Sequence, residues 1–61
     1  MKRADLERHL RDHGCEFGRH DVWINPATEA VTAVPRHREI KPGTVKAVCR
    51  DLGVPVPTSL G

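Results

Sequence analysis

Four histidines and two cysteines carry most of the reactive chemistry in this chain of 61 residues: His9, His13, His20, His37, Cys15 and Cys49. An imidazole moves protons near neutral pH because its ordinary pKa, about 6.5, lies there. His9 and His13 stand four residues apart, which on a helix puts both rings on one face. That spacing can bind zinc, with Cys15 and Cys49 as additional thiolate ligands. Against it, there is no Cys-x-x-Cys pair, and both histidines fall on or beside an apolar stripe, where hydrogen-bonded, partly buried imidazoles are the ordinary outcome. The expectation is therefore no metal site. On residue type alone His20 is an ordinary exposed histidine.

Cationic side chains supply the second kind of chemistry. Residues 1–29 have a net charge of −1, residues 30–50 of +4 and the remainder of −1. The basic part holds Arg36, Arg38, Lys41, Lys46 and Arg50 against a single acid, Glu39. Such a cluster suits a polyanion touching one side of the domain, although a solvated face would look the same. Arg19 can grip a phosphate oxygen through its planar guanidinium, or simply be solvated.

Elements must position these groups. Leu6 and Leu10 mark a helix from about Arg3 to His13, stopped by Gly14. Cys15 to Arg19 is short and ambiguous. Val22-Trp23-Ile24 reads as a strand, Asn25-Pro26-Ala27-Thr28-Glu29 as a turn and Ala30 to Val34 as a second strand, so residues 20–34 form a hairpin that Pro35 ends. Arg36 to Lys41 is a polar loop. Pro42 then opens a helix whose stripe is Val45, Val48, Cys49 and Leu52 and whose stop is Gly53. The expected domain spans residues 1–54, with 55–61 as a flexible, proline-alternating tail. The fold class is α+β, a short antiparallel sheet with both helices on one face and the other face open.

With Phe17 and Trp23 as the only large aromatics, the core is built from small aliphatic residues and cannot enclose a cofactor. Any site is an open surface, and no cofactor is expected. Trp23 invites base stacking, but a lone tryptophan more often anchors a core or a partner interface. Met1-Lys2-Arg3 leads straight into charged residues with no apolar stretch, so the expected location is the cytoplasm, with both thiols reduced and no membrane association.

Several landmarks together resemble the HicA family of toxin ribonucleases, whose fold is similar to a double-stranded RNA-binding domain, α-β-β-β-α. They run from Leu6 to Val54: a short helix ending at Gly14, then Gly18-Arg19-His20 leading into Val22-Trp23, and the turn after Asn25-Pro26. The strand end Val34-Pro35 follows, and Gly43-Thr44 opens a helix that ends Asp51-Leu52-Gly53. Only Cys15, Glu16 and Phe17 separate Gly14 from Gly18, where HicA-like chains have several more residues, so the first strand is expected to be shortened. Arg19 stands where the family often has serine.

The resemblance implies the toxin of a type II toxin–antitoxin system, an endoribonuclease that cleaves mRNA without a metal, and a HicB-like antitoxin as partner. It makes His20 the catalytic residue and RNA's own 2′-hydroxyl the nucleophile. Arg19, Arg36, His37, Arg38 and Lys41 become the residues that hold RNA. The rival reading is a non-catalytic module that binds double-stranded RNA by shape. Such a reader carries a denser lysine cluster at the start of its last helix, where this chain has Lys41 and Lys46 alone.

Overall fold

The computed structural model describes residues 1–58. Its element order is α1 (Arg3–Asp12), β1 (Glu16–Phe17), β2 (Val22–Asn25), β3 (Ala30–Ala33) and α2 (Pro42–Leu52). This is the expected α-β-β-β-α domain, with β1 cut to two residues. The three strands form one antiparallel sheet in the order β1-β2-β3. Phe17 stands opposite Trp23, and Trp23 opposite Thr32.

Alternation along the strands decides what each face meets. Trp23 and Asn25 are buried on the helix side, whereas Val31, on the other face, is 57% exposed. Leu6 and Leu10 from α1 and Val45, Val48, Cys49 and Leu52 from α2 close over Trp23, joined by Cys15, Val34 and Ile40. Both cysteines are free and buried, and burial raises their thiol pKa values above the ordinary 9.0. Among the described residues no helix is long and apolar enough to cross a membrane.

Both helix stops act as the sequence suggests. Gly53 takes a left-handed conformation (φ 71°), and the Val54 N–H returns to the Cys49 carbonyl at 2.9 Å. Gly14 has φ 85°, and the Cys15 N–H reaches the Leu10 carbonyl at 2.9 Å. Asn25 is more than a turn former. Its side-chain N–H donates to the Leu52 carbonyl at 2.6 Å, and its Oδ1 accepts the Ala27 N–H at 3.1 Å, tying the β2–β3 turn to the end of α2.

The polar loop before α2 is also held in place. The Arg3 N–H donates to the Arg38 carbonyl at 2.9 Å and the Ile40 N–H to the Met1 carbonyl at 2.6 Å, around a bridge between Lys2 and Glu39. Ile40 is consequently 2% exposed, inside a run that otherwise reads as polar. Of the expected tail, Pro55 accepts a hydrogen bond from His9 Nε2 at 2.6 Å. Residues 59–61 lie outside the described residues.

Candidate active site and basic track

His20 lies in the turn between β1 and β2, ahead of the strand it was expected to begin. The Val22 N–H closes that turn on the Arg19 carbonyl at 3.0 Å, and His20 takes a left-handed φ of 56°. This backbone region is uncommon outside glycine, but histidine, asparagine and aspartate enter it more readily than most residues. The imidazole is exposed.

The glycine of Gly18-Arg19-His20 has a steric reason. A Cβ at Gly18 would stand 3.2 Å from Ile24 Cδ1 and 3.3 Å from the Val22 carbonyl oxygen. The Gly18 N–H donates to that same carbonyl at 2.7 Å. Bare backbone at Gly18 thus lets the turn fold tightly onto β2.

Next to His20, Asp21 accepts two hydrogen bonds from Arg36 Nε, at 2.7 Å to Oδ1 and 2.9 Å to Oδ2. The pair ties the His20 turn to the first residue of the basic loop. Arg36, Arg3 and Phe17 line one shallow groove beside this turn. Arg36 also lines a second groove with Lys2, Arg3 and Arg38, and Arg38 a third with His37, Lys41 and Thr44 at the start of α2. The shared arginines make these three hollows one continuous track.

Five cations, Lys2, Arg3, Arg36, Arg38 and Lys41, line the track against the carboxylates Glu7, Asp21 and Glu39. Glu39 accepts a hydrogen bond from the Met1 amino nitrogen at 3.0 Å, and α2 has no acid in its first turn. Among the described residues neither Arg38 nor Lys41 is paired with a carboxylate. Unpaired N–H groups at a helix start add to the positive field there. Lys2 and Arg3 were not expected in this surface. Their place depends on the bridge to residues 38–40, a long-range pairing with no local signal.

The structure brings Arg36, His37, Arg38 and Lys41 onto this track and leaves Arg19 exposed in the His20 turn. His9 and His13 lie apart. Their ring centroids lie 4.3 Å apart with the planes tilted by 47°, His9 faces Pro55, and His13 Nδ1 donates to the His9 carbonyl at 2.8 Å. Cys15 and Cys49 are core residues instead of partners to them. Among the described residues no group of three or more His, Cys, Asp or Glu is arranged to hold a metal. Trp23 is 1% exposed, with Arg11 over its ring at 5.2 Å, which fits the anchoring role and removes it as a stacking surface.

Residues 3–54 match the family described as the HicA toxin of bacterial toxin–antitoxin systems. Comparisons with curated proteins and with solved structures give no match.

Proposed function

The chain belongs to the HicA toxin family, and on that premise we propose that this toxin is a metal-independent endoribonuclease that cleaves mRNA with His20 as its catalytic residue. One observation carries the reading. The exposed His20 imidazole sits in a closed turn whose next residue, Asp21, grips Arg36 at the head of a basic track.

RNA laid along that track meets Arg36, Arg3, Arg38 and Lys41 with its phosphates, and Arg19 borders the reacting group. His20 takes the proton of a 2′-hydroxyl, and the 2′-oxygen attacks the adjacent phosphorus. The bond to the 5′-oxygen breaks, and that oxygen takes a proton from water, to which the site is open. The products carry a 2′,3′-cyclic phosphate and a 5′-hydroxyl. Proton transfer by a positioned imidazole contributes about 10²–10⁴ in rate, and the guanidinium groups stabilise charge on the phosphoryl oxygens. His37, on the third hollow, positions RNA.

The partner is a HicB-like antitoxin with an acidic surface that covers the His20 turn and neutralises the loop around Arg36 and Arg38. Complementary charge speeds that association and narrows the choice of partner.

The test is cleavage of a purified mRNA transcript by the chain, with and without EDTA, beside His20→Gly. Cleavage that persists in EDTA, leaves cyclic-phosphate ends and vanishes in His20→Gly supports the reading. Wild-type cleavage by His20→Gly would overturn the mechanism, and RNA binding without cleavage would favour the double-stranded RNA-binding module.

A further inference from the structure

Phe17 is the one aromatic ring of the sheet that solvent reaches, 52% exposed against 1% for Trp23. An exposed phenylalanine costs free energy in water, and this one is held still. It pairs with Trp23 across β1 and β2, their rings 5.6 Å apart and edge to face at 74°. Trp23 is itself packed in the core, so the Phe17 ring is a braced platform three residues before His20.

Charged groups stand beside it. The groove beside Phe17 contains two cations, Arg3 and Arg36, and two carboxylates, Glu7 and Asp21, over a floor that includes Trp23. Asp21 directly follows His20 in the chain. An apolar ring with both cations and carboxylate acceptors in one groove matches an unpaired nucleotide. The base lies on the aromatic face, its phosphate meets an arginine, and its exocyclic amine meets a carboxylate. A protein partner's apolar side chain would leave Arg3 and Glu7 without counterparts, whereas Asp21 and Arg36 already pair with each other.

We propose that Phe17 is the floor of a base-stacking subsite, which takes a single-stranded RNA nucleotide flanking the phosphate cleaved at His20. The inference rests on the reading of RNA as substrate. It assigns single-stranded or looped RNA to the His20 end of the track, and leaves Arg38 and Lys41 to backbone contacts further along. Discrimination among bases then resides in Glu7 and Asp21, which accept hydrogen bonds from adenine, cytosine or guanine amines but receive none from uracil's carbonyls.

The experiment uses the full chain carrying His20→Gly, so that binding is read without cleavage. A fluorescently labelled single-stranded RNA hexamer is titrated at two salt concentrations, with Trp23, the only tryptophan, as an internal reporter of the groove. Phe17→Leu should weaken binding by about tenfold, the loss expected for one stacked base, without changing the salt slope. Phe17→Tyr should restore binding, and RNA should perturb Trp23 emission in Phe17→Tyr but not in Phe17→Leu. The thermal midpoint of Phe17→Leu should stay close to that of its parent, because the replaced ring is half exposed. Unchanged affinity in Phe17→Leu, or a loss that Phe17→Tyr does not restore, would overturn the subsite. A wild-type chain that binds through Phe17 yet leaves RNA intact would sink the ribonuclease reading and keep the subsite. Cleavage with no dependence on Phe17 would do the reverse.

Discussion

Arg36 gives its Nε–H to both carboxylate oxygens of Asp21, at 2.7 and 2.9 Å, and so enters the basic track already partnered. The two side chains are 70% and 38% exposed, and a pair this open contributes under about 1 kcal/mol to stability. Its larger effect is on charge. Arg36→Ala bares the Asp21 carboxylate and should weaken RNA binding at least as much as Arg38→Ala. Asp21→Asn should tighten binding and steepen the dependence of log K on log salt by about 0.7 for each further phosphate neutralised. A clearly smaller loss in Arg36→Ala than in Arg38→Ala, from titrations at several salt concentrations, would contradict this.

Removing the imidazole at position 20 tests two properties at once, because the backbone there is left-handed. His20→Gly and His20→Val should both lose cleavage. Glycine accepts this φ freely, so His20→Gly should hold or raise the thermal midpoint, whereas the β-branched side chain should cost about 1–2 kcal/mol. Thermal melts beside cleavage assays of the two variants separate the conformational effect of His20 from the proposed catalytic one. A His20→Val protein as stable as His20→Gly would show that the turn relaxes in solution.

Asn25→Ala removes the donor to Leu52 and the acceptor for Ala27 at a position 5% exposed. A buried group left without its partner costs about 1–3 kcal/mol, a large share of what a domain this small possesses. Asn25→Asp keeps the acceptor for Ala27 but turns a carboxylate toward the Leu52 carbonyl, and it should be at least as destabilising at neutral pH. Urea denaturation of both variants measures the loss. A shift in midpoint smaller than about 0.5 kcal/mol produces, the low end for a typical hydrogen bond, would show that water replaces the missing partners.

The two thiols predict an alkaline limit to stability. Burial holds the pKa of Cys15 above 9.0, and burial together with the nearby Cys15 does the same for Cys49. Well below pH 9 both thiols are protonated in the folded and the unfolded chain. As pH rises past 9 the unfolded chain releases these protons while the folded chain keeps them, so folding weakens. The stability advantage of the parent over a Cys15→Ala, Cys49→Ala double variant should therefore shrink as pH rises past 9.0. Thiol labelling at mildly alkaline pH should also be slow until denaturant is added.

Both helices were legible because each declares its period and its stop. Leu6 and Leu10 before Gly14, and the Val45 to Leu52 stripe before Gly53, leave little freedom in where α1 and α2 end. The hairpin was legible for a similar reason, since a β-branched run, an Asn-Pro turn and a closing proline are local signals. Ile40 shows where local reading stops. It is one apolar residue in a charged run, and it becomes core only because the residues around Met1 pair with its backbone. Lys2 and Arg3 join the basic track through the same pairing. The side chain of Asn25 escaped for a different reason, because a turn-forming asparagine looks the same whether or not a helix end lies within reach. At the candidate site, Gly18-Arg19-His20 pointed to the turn, and its left-handed histidine and the Asp21–Arg36 clasp emerged only with the fold.

The short bridge between residues 1–3 and 38–40 fastens two stretches nearly forty residues apart. Closing a loop of that length carries an entropic cost that grows only with the logarithm of its length, but reopening it frees both ends together. Fraying at the start of α1 thus releases Arg38, Glu39 and Ile40 in the same event. The basic loop and the first turn of α1 form one cooperative opening unit. In hydrogen–deuterium exchange, the Arg3 and Ile40 amides should exchange at one common rate, slower when RNA spans the track.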